Sequence, residues 1–241
     1  MIYKENFKVG LKDIWKGNEV SNSAILEYLE DIAAYHSDSV GYGINTTKDT
    51  NLNWILLDWR VKVIKRPTYG ENLEVHTWSR GIEKFWAFRD FEIYDDKKEL
   101  CVVATSKWLL VSSKTEKIER VDPKMAEKYK SETEKKVFLD EELGKLKAPD
   151  HYDSKIEYTV RRKDIDVIGH MHNIYYLDLA YETLPEEAYQ KRPFNNVRIM
   201  YKKEMKLGET VHCLYTKEEE KNIITIKDKD EKIIHAIIEI H

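Results

Sequence analysis

The sequence predicts an α+β chain made of one unit written twice, each unit an antiparallel sheet wrapped around a central helix. Three observations predict it. Segments match without gaps at an offset of 151 residues: Phe7-x-Val9-x-x-Lys12-Asp13-Ile14 aligns with Tyr158-x-Val160-x-x-Lys163-Asp164-Ile165, Asn22 with Asn173 and Leu26 with Leu177. Each half carries a single helical stripe of apolar residues. Each stripe is followed by about four strand-like runs whose connections are too short for crossover helices, which makes the sheets antiparallel.

The elements follow in order. Period-two alternation over 3–9 predicts a half-buried first strand. Ile25, Leu29, Ile32 and His36 then recur at helical spacing, with N-cap oxygens on Ser21, Asn22 and Ser23 and a stop at Gly41 and Gly43. Strands are expected over 54–64, 73–80, 85–94 and 100–112, punctuated by Pro67-Thr-Tyr-Gly70 and Asp95-Asp96. The second half repeats the plan. A strand over 156–160 precedes a stripe of Ile174, Leu177, Tyr181 and Leu184, with Asn173 as cap and Pro185 as stop. Strands follow over 197–205, 210–217, 222–227 and 233–240. The domains are therefore 1–130 and 155–241, joined by a charged connector over 131–154 with some helix across 141–146. Halves of this kind can join into one sheet, with a ligand pocket expected between them.

Composition narrows the function. The 241 residues are 41% hydrophobic and 35% charged, enough apolar content for a real core. Lys and Arg number 40 against 44 Asp and Glu, a net charge of −4, so no global basic field for nucleic acid exists. Two cysteines, Cys101 and Cys213, are too few for a disulfide framework or a Cys-built metal site and read as small buried residues. The N-terminus has no apolar signal region and no apolar run is long enough to span a bilayer; the expectation is a cytoplasmic protein without membrane partners.

Duplicated halves are free to diverge, and the offset shows where they do. Trp15 stands opposite Asp166, and Glu19 opposite His170. Only the second half carries Asp166-x-x-x-His170, so a single active site belongs there and the first half supplies walls. An Asp and a His four apart, in a loop just before a helix, can face one cleft. A carboxylate beside an imidazole fixes its tautomer and raises its basicity, and the helix start offers unpaired N–H groups to a developing oxyanion. That is equipment for acyl-group hydrolysis. The same Gly-His also reads as an ordinary turn and cap. His170 and His172, two apart with no Cys nearby, do not make a metal site, and neither metal nor cofactor is expected. Glu182 reads as a catalytic carboxylate or as a solvated helix residue, and Tyr175 and Tyr176 as pocket lining.

Four stretches together carry a resemblance. They are Arg66-Pro-Thr-Tyr-Gly-Glu-Asn-Leu-Glu-Val-His-Thr-Trp78, Ala104-Thr-Ser-Lys-Trp-Leu-Leu-Val-Ser-Ser-Lys-Thr115, Asp164-Ile-Asp166-Val-Ile-Gly-His170-Met-His-Asn173 and Tyr201-Lys-Lys-Glu204-Met205. In this order they resemble the acyl-acyl-carrier-protein (acyl-ACP) thioesterases, a family with a tandem (double) hot-dog fold. The resemblance implies hydrolysis of fatty acyl-ACP in fatty acid biosynthesis, with acyl-CoA hydrolysis or non-catalytic acyl binding as alternatives. It puts Asp166 and His170 on the family's catalytic Asp and His, and Glu204 on a Glu of the same network. His172, Gly169 and Asn173 become supporting positions. The family's Cys after that Glu is Met205 here, which excludes a cysteine nucleophile at this position. Its Asn two after the Asp is Ile168, which has no donor; His172 or a backbone N–H takes over that duty, or the enzyme is slower or uses another route. The implied substrate calls for an apolar tunnel in the first half, with Ile25, Leu29, Ile32, Trp54, Trp59 and Trp86 as lining or plain core. It also calls for an acidic carrier protein, which Arg161, Arg162, Lys163, Lys202 and Lys203 could meet unless they are simply a solvated edge. Duplication already supplies the pairing that single units obtain by dimerising, so a monomer or a homodimer is expected.

Overall fold

Alternating segments become strands where one face meets a core, and the protein does this twice with one plan. A computed structural model describes residues 1–139 and 143–241, in two units, Met1–Leu143 and Gly144–His241. The first unit contains β1 (Tyr3–Lys8), α1 (Asn22–Ser39), α2 (Thr47–Thr50), β2 (Leu52–Val63), β3 (Asn72–Glu83), β4 (Trp86–Tyr94), β5 (Leu100–Ser112) and α3 (Pro123–Tyr129). Its strands lie in the order β1-β3-β4-β5-β2, every pair antiparallel. The second unit contains β6 (Ser154–Thr159), α4 (Asn173–Thr183), α5 (Glu186–Tyr189), β7 (Asn196–Tyr201), β8 (Thr210–Glu218), β9 (Lys221–Asp228) and β10 (Ile234–Ile240). The order β6-β8-β9-β10-β7, again antiparallel, is the same topology.

The repeat extends to single hydrogen bonds. Ser21 N–H donates to Asp13 O at 2.8 Å and His172 N–H to Asp164 O at 2.8 Å. The amides of Gly10 and Arg161 each donate to the carboxylate three residues on, at 2.7 Å. The period is not constant, however. Matching residues are 151 apart up to the helix, 138 apart at the starts of β3 and β8 and 134 apart at the starts of β5 and β10, so the stretch from the helix to β8 is thirteen residues shorter than its counterpart in the first unit.

In each unit the helix lies against the sheet, α1 on β1 and β3 and α4 on β8 and β10. Ile25, Leu29, Ile32 and His36 of α1 are buried, as are Ile174, Leu177 and Leu184 at α4, while Tyr181 of the second stripe is half-buried. Each such aliphatic side chain contributes about 2 kcal/mol through apolar burial. Of the aromatic positions considered for a tunnel, Trp59 is fully buried against Phe91 at 5.1 Å. Trp54 and Trp86 are half-buried; Trp54 donates to the Tyr129 hydroxyl at 3.0 Å. Both cysteines are buried and free. Among the described residues no helix is long and apolar enough to cross a membrane.

Three expectations change. The cap of α4 is His172, and Asn173 is the first helical residue. β7 ends at Tyr201 rather than at 205, because the amides of Lys202 and Lys203 both turn to the carbonyl of His235, at 2.8 and 3.2 Å, and leave the ladder. Glu204 therefore stands on a loop. Of the helix expected across 141–146, residues 141 and 142 lie outside the described residues, and 143–149 are irregular.

Candidate active site

The predicted pair sits on a turn that its own carboxylate closes. Upstream, Asp164 is buried and accepts from Arg161 N at 2.7 Å and from the Tyr158 hydroxyl at 2.6 Å, so this carboxylate is committed to the scaffold. Burial first, then Asp164, pushes the Tyr158 hydroxyl up to about 12. Ile165 and Met171 then form an antiparallel bridge, and Asp166 N–H donates to His170 O at 2.8 Å. Asp166 Oδ1 accepts from Ile168 N at 2.9 Å and from His170 N at 3.1 Å. Gly169 has φ +90°, a conformation that L side chains rarely adopt, which is why a glycine serves there.

Asp166 and His170 are both half-buried. Among the described residues no hydrogen bond joins the Asp166 carboxylate to the His170 ring; the carboxylate holds the backbone of the turn. Among the described residues none donates to Asp166 Oδ2.

A second loop meets this turn. His170 bridges Lys206, and Met171 N–H donates to Met205 O at 2.8 Å. Tyr176, buried on α4, accepts from Met205 N at 3.1 Å. Burial raises the Tyr176 pKa, and the charges of Glu204, Glu209 and Asp166 raise it further. The charges of Asp166 and Glu204, 38 positions apart in sequence, thus both act on this hydroxyl.

The supporting positions differ in what they do. His172 is half-buried at the N-cap with its ring edge-on to Tyr175 at 5.9 Å, and its side chain makes no capping hydrogen bond. In the twin helix Ser21 Oγ does cap, accepting from Ala24 N at 3.1 Å. The second unit's helix start thus keeps its amides clear of a side-chain cap, as an oxyanion site requires. Asn173 lends its carbonyl to the Tyr201 hydroxyl at 3.0 Å. Glu182 is exposed on α4.

Arg161, Arg162, Lys163, Lys202 and Lys203 are all exposed, and Arg161 lies over the Tyr158 ring at 5.3 Å. The loop tips are apolar: Val167 is 88% exposed and Leu207 55%. Ile168 is also exposed, so its hydrocarbon points to no buried polar duty. No group of three or more His, Cys, Asp or Glu among the described residues could hold a metal ion.

The sequence reads Tyr176 only as pocket lining and does not single out Glu209 or His235. A signal for Tyr176 was present: at the offset of 151 it stands opposite Ile25, so the hydroxyl belongs to the second unit alone.

Both units have known relatives. Residues 1–129 match the family model described as the acyl-ACP thioesterase N-terminal domain, and residues 147–239 that of the C-terminal domain. The chain is 24% identical to oleoyl-acyl carrier protein thioesterase 1, chloroplastic, of Arabidopsis thaliana over 230 residues, 89% of this chain and 63% of that protein. It spans less than two thirds of the length of the first such relatives. A solved acyl-ACP thioesterase of Bacteroides thetaiotaomicron superposes with TM-score 0.87 at 19% identity, covering 99% of this chain and 96% of its own. The 12:0-ACP thioesterase of Umbellularia californica gives 0.85 at 19%, covering 100% and 96%. The fold is the one these structures share, the hot-dog unit in tandem.

Proposed function

The chain belongs to the acyl-ACP thioesterase family, and from that premise we propose that it hydrolyses fatty acyl-ACP to free fatty acid and ACP, a step of fatty acid biosynthesis. One observation supports the reading: the loop that carries Glu204 is joined to the turn of Asp166 and His170, through the bridge of His170 to Lys206 and the bond from Met171 N–H to Met205 O at 2.8 Å. In the reaction, water adds to the thioester carbonyl carbon, the C–S bond breaks, and the sulfur leaves with a proton as the carrier's thiol. His170 and Glu204 position and activate the water. Asp166 holds the turn through Oδ1 and presents Oδ2 to the reacting centre. Backbone N–H groups at the start of α4 face the developing oxyanion, a contribution of about 3 kcal/mol per donor in characterised cases, whereas those of Gly169 and His170 are taken up in the turn by Asp166 O at 3.2 Å and Asp166 Oδ1 at 3.1 Å. With Ile168 in place of an amide side chain, this duty rests on backbone and on His172. The domain at 1–130 supplies the acyl-chain walls, and the connector runs over 131–154.

The basic residues Arg161, Arg162, Lys163, Lys202 and Lys203 would meet an acidic carrier. The reading is tested with a panel of acyl-ACP substrates and the matching acyl-CoAs. Free fatty acid should form faster from the carrier-bound chains, and that preference should fall steeply with salt. D166A and H170A, shown folded by circular dichroism, should lose at least about 100-fold in kcat. Full rate in both variants would sink the assignment.

A further inference from the structure

The two units repeat a backbone device at the edge of the site, and only the second unit fits it with an imidazole. On β5, Leu100 pairs Tyr94 and Val102 pairs Ile93, which leaves Cys101 as the extra residue of a β-bulge. On β10, Ile234 pairs Lys227 and Ala236 pairs Ile226, which leaves His235. The bulge carbonyl does the same work in both. Cys101 O accepts from the amides of Ile64 and Lys65, at 2.8 and 3.1 Å; His235 O accepts from those of Lys202 and Lys203, at 2.8 and 3.2 Å. A glutamate closes the following turn in both, Glu71 on Thr68 N at 3.1 Å and Glu209 on Lys206 N at 3.0 Å. In this register Arg66 of the first unit stands where Glu204 stands in the second.

The side chains on the bulge differ. The Cys101 thiol donates to the nearby carbonyl of Glu99 at 3.5 Å. The His235 ring is fully buried, and its Nδ1 lies 3.2 Å from the carbonyls of both Lys203 and Glu204. Carbonyls only accept, so Nδ1 carries the proton. Nε2 lies 3.5 Å from Glu209 Oε1 with no hydrogen bond of its own. The ring thus stands between the two ends of the 203–209 loop. An apolar side chain would fill this space without the cost of a buried, unpaired nitrogen. Bulges re-aim side chains beside functional sites, and this one aims a donor at the carbonyls on either side of Glu204.

We propose that His235 is a positioning residue for Glu204: its Nδ1–H pins the Glu204 peptide from the N-terminal side, while Tyr176 and Met171 hold Met205 on the other. The proposal rests on the reading that Glu204 takes part in thioester hydrolysis.

The test uses steady-state hydrolysis by the full chain with H235N, H235Q, H235L, E204A and the H235L/E204A double variant. Asparagine places an amide N–H near Nδ1, and glutamine places one near Nε2. H235L and H235Q should lose about tenfold or more in kcat with KM unchanged, H235N should stay within about threefold of the parent, and H235L should cost nothing further in the E204A background. Parental kcat in H235L and H235Q, or losses that multiply in the double variant, would overturn the proposal. If leucine unfolds the unit, the asparagine and glutamine pair decides; if all three variants unfold, the ring's role is folding alone and the proposal falls. Full rate in E204A would remove Glu204 from the reaction and this inference with it, whereas an impaired E204A beside an unaffected H235L sinks the inference only.

Discussion

At Asp166 one oxygen is scaffold and the other is available for chemistry. Oδ1 accepts from the amides of Ile168 and His170 and so sets the turn that presents the imidazole. An asparagine can make the same two bonds through its carbonyl oxygen but carries no charge and cannot act as a base. D166N should therefore unfold within about 0.5 kcal/mol of the parent, whereas D166A, which leaves the turn without its acceptor, should lose about 1–2 kcal/mol. Both should lose at least about 100-fold in kcat. Urea titration beside turnover separates the two roles; a D166N enzyme with near-parental kcat would leave Asp166 with the scaffold role alone. The residue type and spacing at 166 and 170 were legible from the sequence because the two halves differ there. That the carboxylate would hold amides rather than the ring was not, because the turn's closure depends on the bridge between Ile165 and Met171.

At the scale of elements, most of the fold could be read because each strand alternates against one core face and each helix carries one stripe. The exception is instructive. Residues 197–205 keep a strand-like pattern to the end, yet β7 stops at Tyr201, since a bulge more than thirty positions away in β10 takes the next two amides. A local pattern holds no trace of a distant carbonyl. The helix starts show the opposite case, where one residue type decides. Ser21 caps α1 through its hydroxyl, and His172 leaves α4 without a side-chain cap. S21A should cost about 1 kcal/mol. H172S should give α4 the cap of its twin and gain about 0.5–1 kcal/mol, while bringing a hydroxyl onto the helix start proposed for the oxyanion and lowering kcat. Denaturant midpoints and kcat measured on the same preparations check the opposite signs; a serine variant that gains both stability and rate would remove the helix start from the oxyanion site.

For the whole molecule, duplication organises both what was legible and what was not. A gapless offset of 151 exposes Asp166 and His170 but loses register beyond the helix, where the period shortens to 138 and then to 134, and so could not show Glu204 opposite Arg66 or His235 opposite Cys101. Divergence between the units also predicts how the protein responds to acid. The first unit buries His36 against a permanent cation: Arg89 of β4, itself buried, donates from Nη1 to His36 Nδ1 at 2.8 Å. Tyr3 of β1 stacks on the ring at 5.4 Å, Tyr129 of α3 meets its edge at 5.6 Å, and the N-terminal ammonium adds positive charge. Burial, then Arg89, lowers the imidazole to about 3 from an ordinary 6.5. The unfolded chain therefore takes up a proton that the folded chain refuses. Stability from this group is present above pH 6.5 and is lost as pH falls toward about 3, by up to about 1.4 kcal/mol per pH unit. H36N keeps an acceptor for Arg89 without a titrating ring. Its unfolding free energy, measured in urea at stepped pH, should start lower at pH 7 through lost packing and fall less steeply below pH 6; parallel pH profiles for parent and variant would exclude His36 as a source of the acid limb.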